Sequence, residues 1–196
     1  DENAELIIGF SKDCSRDEYL DALDDNKVEE LLQHVPVKKG DVFFIPAGLV
    51  HAIGKGVVVA EIQQSSDITY RIYDYKRVDD NGNERELHTE QALDVINFDA
   101  AENPKTAYQV IPNEITPLVS CDYFTTNLIQ FDTALIRNYG QLDSFIAYMC
   151  LEGSFFVEAN NEKTVINKGD TVLIPASIDE IGLTPHDKVT LLEVHV

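Results

Sequence analysis

Positive charge is scarce in this chain: 15 Lys and Arg stand against 35 Asp and Glu over 196 residues, a formal net charge of -20. A field of that sign repels polyanions, which excludes nucleic acid and anionic membrane surfaces as partners. An anionic small molecule stays admissible wherever basic residues gather. Arg71, Lys76, Arg77 and Arg85 lie close together in sequence, although a solvated basic stretch is the plainer reading of them. Long apolar runs are also missing. The longest, such as residues 57–60, fall far short of the roughly 20 residues a membrane span needs, so neither a signal peptide nor a membrane helix is visible. Cysteine is sparse: Cys14, Cys121 and Cys150 are odd in number and widely spaced. That excludes a disulfide framework, a zinc ribbon and a paired-thiol redox site, and it fits packed thiols in a reducing cytosol. Met149 is the sole methionine and the chain opens on Asp1 with DENAELII. That segment reads as the run-in to a strand, and the expectation is that further residues precede it.

What is present is globular. With 44% hydrophobic residues, the length suffices for one large core or two small ones. Residues 4–10 are apolar and read as a strand. Residues 15–34 change period, with Leu20, Leu23, Val28, Leu31 and Leu32 at helical spacing and Ser15 and Asp17 placed to cap, so one helix or two short ones are expected there. Residues 42–45, 56–63 and 68–75 are rich in Val, Ile, Tyr and Phe and are broken by Pro46, Gly48, Gly54 and Gly56, which predicts strands joined by tight turns. Asp79-Asp80-Asn81-Gly82-Asn83 is a hairpin turn signal, and residues 89–98 read as a short helix. Residues 99–120 carry Pro104, Pro112 and Pro117 with little periodicity, as an interdomain connection does. The expected division is 1–100, a linker over 101–120, and 121–196. Beyond the linker the chain reads as almost all β.

One repeat outweighs this coarse reading: KGDVFFIPA at 39–47 returns as KGDTVLIPA at 168–176, with six of nine positions identical. In both, Gly-Asp makes a turn, an apolar run follows and proline ends it, so two related β domains are expected. The first copy continues into His51, and the equivalent position of the second copy is Glu180. Neutral imidazole on a rigid strand suits a divalent metal, although a lone histidine is more often a packed or surface residue than a ligand.

The motif GDVFFIPAGLVHAI, followed by EIQQSSDITYRIYDYKR and NGNERELH, closely resembles the bacterial class I mannose-6-phosphate isomerases. The repeated KGDTVLIPA looks like the metal-free second cupin of that family. The resemblance implies a mainly β fold of tandem cupin (jelly-roll) barrels with a short helical insertion, the first barrel incomplete. It implies an aldose-ketose isomerase acting on a sugar phosphate, with one zinc per full-length chain, in the cytoplasm, as a monomer or homodimer. Position by position, His51 matches the family's last protein ligand to zinc, Arg71 an arginine regarded as catalytic, and Glu61 an acidic residue lining the active site. The other ligands would lie upstream of Asp1, and His34, His88, His186 and His195 do not match their motifs. Taken alone, the chain is therefore expected to be inactive.

Other readings of these residues stand beside this one. Glu61 could pair with Arg71 or Lys55, Arg71 could be structural, and Tyr70, Tyr73 and Tyr75 at period two suit packing as well as a sugar platform. A non-catalytic double cupin that binds sugar phosphates, or a metal-dependent oxygenase, are the competing functions.

Overall fold

The computed structural model describes residues 1–66, 68–75 and 77–196. They divide into two compact units, 1–106 and 107–196.

In the first unit, β1 (Glu5–Phe10) is the central strand of a three-stranded antiparallel sheet. Helix α1 (Arg16–Asp24) follows, with Ser15 as its cap. The Ser15 hydroxyl accepts the Glu18 N–H at 3.1 Å and the Glu18 carboxylate accepts the Ser15 N–H at 2.8 Å. Glu18 rather than Asp17 therefore completes the cap, a reciprocal pair that satisfies two otherwise orphaned amides. Asn26, at φ 58°, ends the helical path, and only a 3-10 turn, Val28–Leu31, remains before β2 (Leu32–Pro36). The helical reading of residues 15–34 thus fails at its end. Leu32, His34 and Val35 are claimed by the β1 ladder, where Leu6 faces Val35 and Ile7 faces His34, and pairing overrides local propensity. Strand β3 (His51–Ile53) lies on the other side of β1, and α2 (Thr89–Leu93) supplies buried Ala92. Phe10, Tyr19 and Val28 centre the core, with Phe98 stacked on Phe10 at 5.6 Å.

The strands expected over 42–45, 56–63 and 68–75 do not form. Among the described residues only a single bridge, Phe43 to Lys105, touches these stretches. An apolar, β-branched run supplies side chains for a strand, but a strand exists only where a second backbone lies alongside to take its amides and carbonyls. The consequence is exposure: Phe44, Val59, Ile68 and Tyr70 face solvent, and Val58 is 98% exposed. A surface of this kind is expected to bind a hydrophobic reporter dye in the native state. Dye fluorescence no higher than that of a tightly packed control protein of the same size would sink this expectation.

The second unit is a sandwich of two antiparallel sheets. β4 (Ile115–Ser120), β5 (Thr125–Phe131), β7 (Ile146–Glu152), β10 (Thr171–Ile174) and β12 (Val189–His195) make a five-stranded sheet in the order β10-β7-β12-β5-β4. β6 (Leu135–Asn138), β8 (Ser154–Ala159), β9 (Glu162–Asn167) and β11 (Glu180–Pro185) make a four-stranded sheet in the order β6-β11-β8-β9. Inward side chains from both sheets share one core, with Phe131 edge-on to Phe155 at 5.7 Å. Residues 115–120, placed by their prolines in a connection, are instead the edge strand β4. Its register shifts between Pro117 and Val119, and an edge strand is where a sheet tolerates the missing proline amide.

The internal repeat is structural as well as sequential. Gly40 and Gly169 both sit at φ 91°, a left-handed turn that glycine adopts without a Cβ penalty. Asp41 accepts the Lys38 N–H at 3.0 Å, and Asp170 accepts the Asn167 N–H at 2.8 Å. After the proline, Leu49 N–H reaches Pro46 O at 3.2 Å and Ile178 N–H reaches Pro175 O at 3.0 Å. The apolar run pairs fully in the second copy, as β10 on β7, and not in the first.

Both cores bury phenols. Burial pushes the Tyr139 and Tyr148 hydroxyls well above their ordinary range and pushes Tyr19 up to about 12. With the folded value above the unfolded one, the stabilisation is complete below about pH 10 and is lost as pH rises towards the folded values, by about 1.4 kcal/mol per tyrosine per pH unit. The denaturant midpoint is expected to fall steadily between about pH 10 and 12; a midpoint that stays level over that interval would contradict it.

Candidate functional site

His51 opens β3 by the turn just described, and Glu180 opens β11 by the same turn in the other unit. The His51 side chain is exposed, and its Nδ1 lies 2.9 Å from the Leu49 carbonyl. A carbonyl can only accept, so Nδ1 carries a proton, and in the neutral ring Nε2 is the nitrogen with the free lone pair. A backbone carbonyl behind the imidazole is also how ligating histidines are held in orientation. His51 thus offers one imidazole nitrogen. Among the described residues no group of three or more His, Cys, Asp or Glu is placed to hold a metal ion. Catalytic zinc generally takes three protein ligands, so the residues present fit a metal in part only.

Glu61 is exposed on a stretch without strand pairing, and among the described residues neither Arg71 nor Lys55 pairs with it.

Arg71 is held on several sides. Its backbone N–H donates to His88 Nδ1 at 3.0 Å, and the His88 N–H returns to Arg71 O at 2.8 Å. Its guanidinium donates to Glu86 O at 3.2 Å, and its Nε lies 4.0 Å from Asp74 Oδ1. Asp74 is only 7% exposed. The same oxygen accepts Arg77 at 2.8 Å and faces Arg85 at 3.5 Å. Three guanidiniums on one carboxylate leave a local excess of positive charge in a chain whose net charge is strongly negative, and that arrangement favours an anion. Lys76, the fourth member of the basic stretch, lies outside the described residues. Tyr73 and Tyr75 pack edge to face at 5.0 Å, with Arg77 over the Tyr75 ring at 5.5 Å, so these tyrosines are at least partly packing.

The structure therefore gathers Arg71, Asp74, Arg77, Arg85 and His88. It shows no hydrogen bond or ion pair linking His51 or Glu61 to them among the described residues. Sequence reasoning missed Asp74 and His88. The three-residue spacing of Arg71, Asp74 and Arg77 was a usable signal for the first. Nothing local marks His88, because its partner lies 17 residues away.

The helical content offers no span: no helix among the described residues is long and apolar enough to cross a membrane. Cys14, Cys121 and Cys150 are all free, and Cys14 and Cys150 are buried.

Residues 114–196 match the family model of the mannose-6-phosphate isomerase cupin domain. A mannose-6-phosphate isomerase of Streptococcus mutans is 36% identical over 179 residues, 91% of this chain and 56% of that protein. ManA of Bacillus subtilis, a mannose-6-phosphate isomerase, is 33% identical over 183 residues, 92% of this chain and 57% of that protein. The crystal structure of a mannose 6-phosphate isomerase from Bacillus subtilis superposes with a TM-score of 0.86 at 29% identity, covering all of this chain and 62% of that one. The chain thus spans a little over half the length of the curated relatives it matches. The two-sheet unit, the repeated turn and these matches together place the chain in the cupin-type mannose-6-phosphate isomerase family.

Proposed function

We propose that this chain serves the interconversion of mannose 6-phosphate and fructose 6-phosphate. The observation that carries this reading is the similarity over nine-tenths of the chain to a mannose-6-phosphate isomerase, in a molecule that clusters arginines on one buried carboxylate.

The reaction moves a proton between C2 and C1. In the aldose-to-ketose direction a base takes the C2 proton while the C1 carbonyl oxygen gains one, giving an enediol. C1 is then protonated and the O2 proton leaves as the C2 carbonyl forms. Glu61, open and acidic, is the group proposed to carry the proton between the two carbons. Arg71 cannot act as an ordinary base at neutral pH, and its fixed planar donors suit the negative charge that develops on oxygen or the substrate phosphate. His51 would hold a divalent metal, zinc in this reading, through Nε2. When bound, such an ion polarises the carbonyl and organises substrate oxygens.

The test is fructose 6-phosphate formation by the protein at its full natural length, with and without a chelator. Turnover that the chelator abolishes and zinc restores is expected; zinc-replete protein that makes no fructose 6-phosphate would overturn the proposal. The 196 residues alone, with one imidazole positioned as a ligand, are expected to take up well under one zinc per chain and to show no turnover. Stoichiometric zinc together with activity in that material would refute this second expectation.

A further inference from the structure

We infer that Asp74 and His88 are positioning residues that hold Arg71 as a clamp, Asp74 aiming its guanidinium and His88 fixing its backbone; the kinetic part of this inference rests on the isomerase reading above. Asp74 is buried, and an unpaired buried carboxylate is costly. Arg77 answers that cost directly. It donates to Oδ1 at 2.8 Å and, through Nε, lies 3.4 Å from the Asp74 carbonyl. The Arg77 and Arg85 side chains remain 63% and 54% exposed, whereas Arg71 is 23% exposed. At 4.0 Å the Arg71 Nε is beyond hydrogen-bond reach of the carboxylate. Asp74 therefore orients Arg71 by charge without occupying its donors. Among the described residues one side-chain bond, to Glu86 O, is made from that guanidinium, which leaves donors in its planar fork for a ligand oxygen.

His88 acts on the other half of the residue. Because its Nδ1 accepts the Arg71 N–H, the ring must be unprotonated at that nitrogen. The reciprocal bond from its own amide ties segments 71 and 88 as two adjacent strands would be tied. The Asp74 Oδ2 atom is buried and without a partner among the described residues, so among these the carboxylate is held through Oδ1, by the arginines.

The test combines kinetics with arginine side-chain NMR on the protein at its full natural length. Asp74→Asn is expected to lower kcat by about 30-fold with little change in KM, the penalty of a misaimed group. In an Arg71→Ala background the same change should cost nothing further, since residues that act as a unit are not additive. His88→Leu should behave like Asp74→Asn, and His88→Gln, which keeps an acceptor, should recover most of the loss. A kcat within about twofold of wild type for Asp74→Asn, or full additivity with Arg71→Ala, overturns the inference. If Arg71→Ala itself leaves turnover intact, the catalytic reading of Arg71 is what fails. The Arg71 Nε–H order parameter then decides the clamp alone: a fall in Asp74→Asn supports it, and an unchanged value overturns it.

Discussion

Arg71→Ala is expected to lower mannose 6-phosphate turnover by about 10²–10³-fold, the usual cost of removing one preorganised donor to developing negative charge. The guanidinium is fixed by Glu86 O on one nitrogen and drawn by Asp74 on another, so its free edge is presented in one orientation rather than many. A group preorganised in this way needs no rearrangement as charge moves onto the substrate oxygen. Arg71→Lys is expected to rescue poorly, because an ammonium is a point charge and cannot answer Glu86 O and Asp74 while also facing a ligand. The loss should fall on kcat, with thermal stability close to wild type because the side chain is not part of the apolar core. Turnover near the wild-type value in Arg71→Ala would remove the charge-stabilising role and leave the arginine as a partner of Asp74.

Glu193→Ala should destabilise the second unit by about 3 kcal/mol, the lower end for breaking a buried ion pair because Arg137 keeps some access to water. Glu193 is 2% exposed in the middle of β12. It accepts from Asn127 at 3.1 Å, from Arg137 at 3.3 Å and from the Tyr139 hydroxyl, which in turn meets the Tyr148 hydroxyl. Removing the carboxylate strands a guanidinium, an amide and a phenol inside a sandwich whose other walls are apolar. Glu193→Gln retains acceptor and shape, and should cost closer to about 1 kcal/mol. The denaturant midpoints of the two variants measure the contrast. Equal losses would mean that packing, not the charge network, sets the value of this position.

Much of this was legible in the residues. The capped start of α1 and the paired Gly-Asp turns depend on contacts a few residues apart, and the mainly β character of the second half is carried by its composition. The prolines of 112–117 misled because a proline signals a missing amide without saying whether that amide faces a neighbour or an edge. The Glu193 network was not legible at all. Its members lie on β5, β6, β7 and β12 and at Tyr139 just beyond β6, up to 66 residues apart, and no local pattern distinguishes a buried Glu on a strand from a solvated one.

By itself the sequence determined where the chain turns, which runs are apolar and that one Gly-Asp turn recurs, since each turn is written within a few residues, and its longer motifs carried the resemblance to the mannose-6-phosphate isomerases. Only the tertiary structure decided which apolar runs become strands and which polar side chains become a network. Residues 171–174 are a strand because β7 lies beside them, and residues 42–45, with the same turn before and the same proline after, are not, because among the described residues no neighbouring strand offers a ladder. Likewise Arg71 and His88 are joined by a backbone-to-ring bond across 17 residues. Hydrogen bonds and charge pairing act through space, and a one-dimensional pattern records only the partners that happen to be close along the chain.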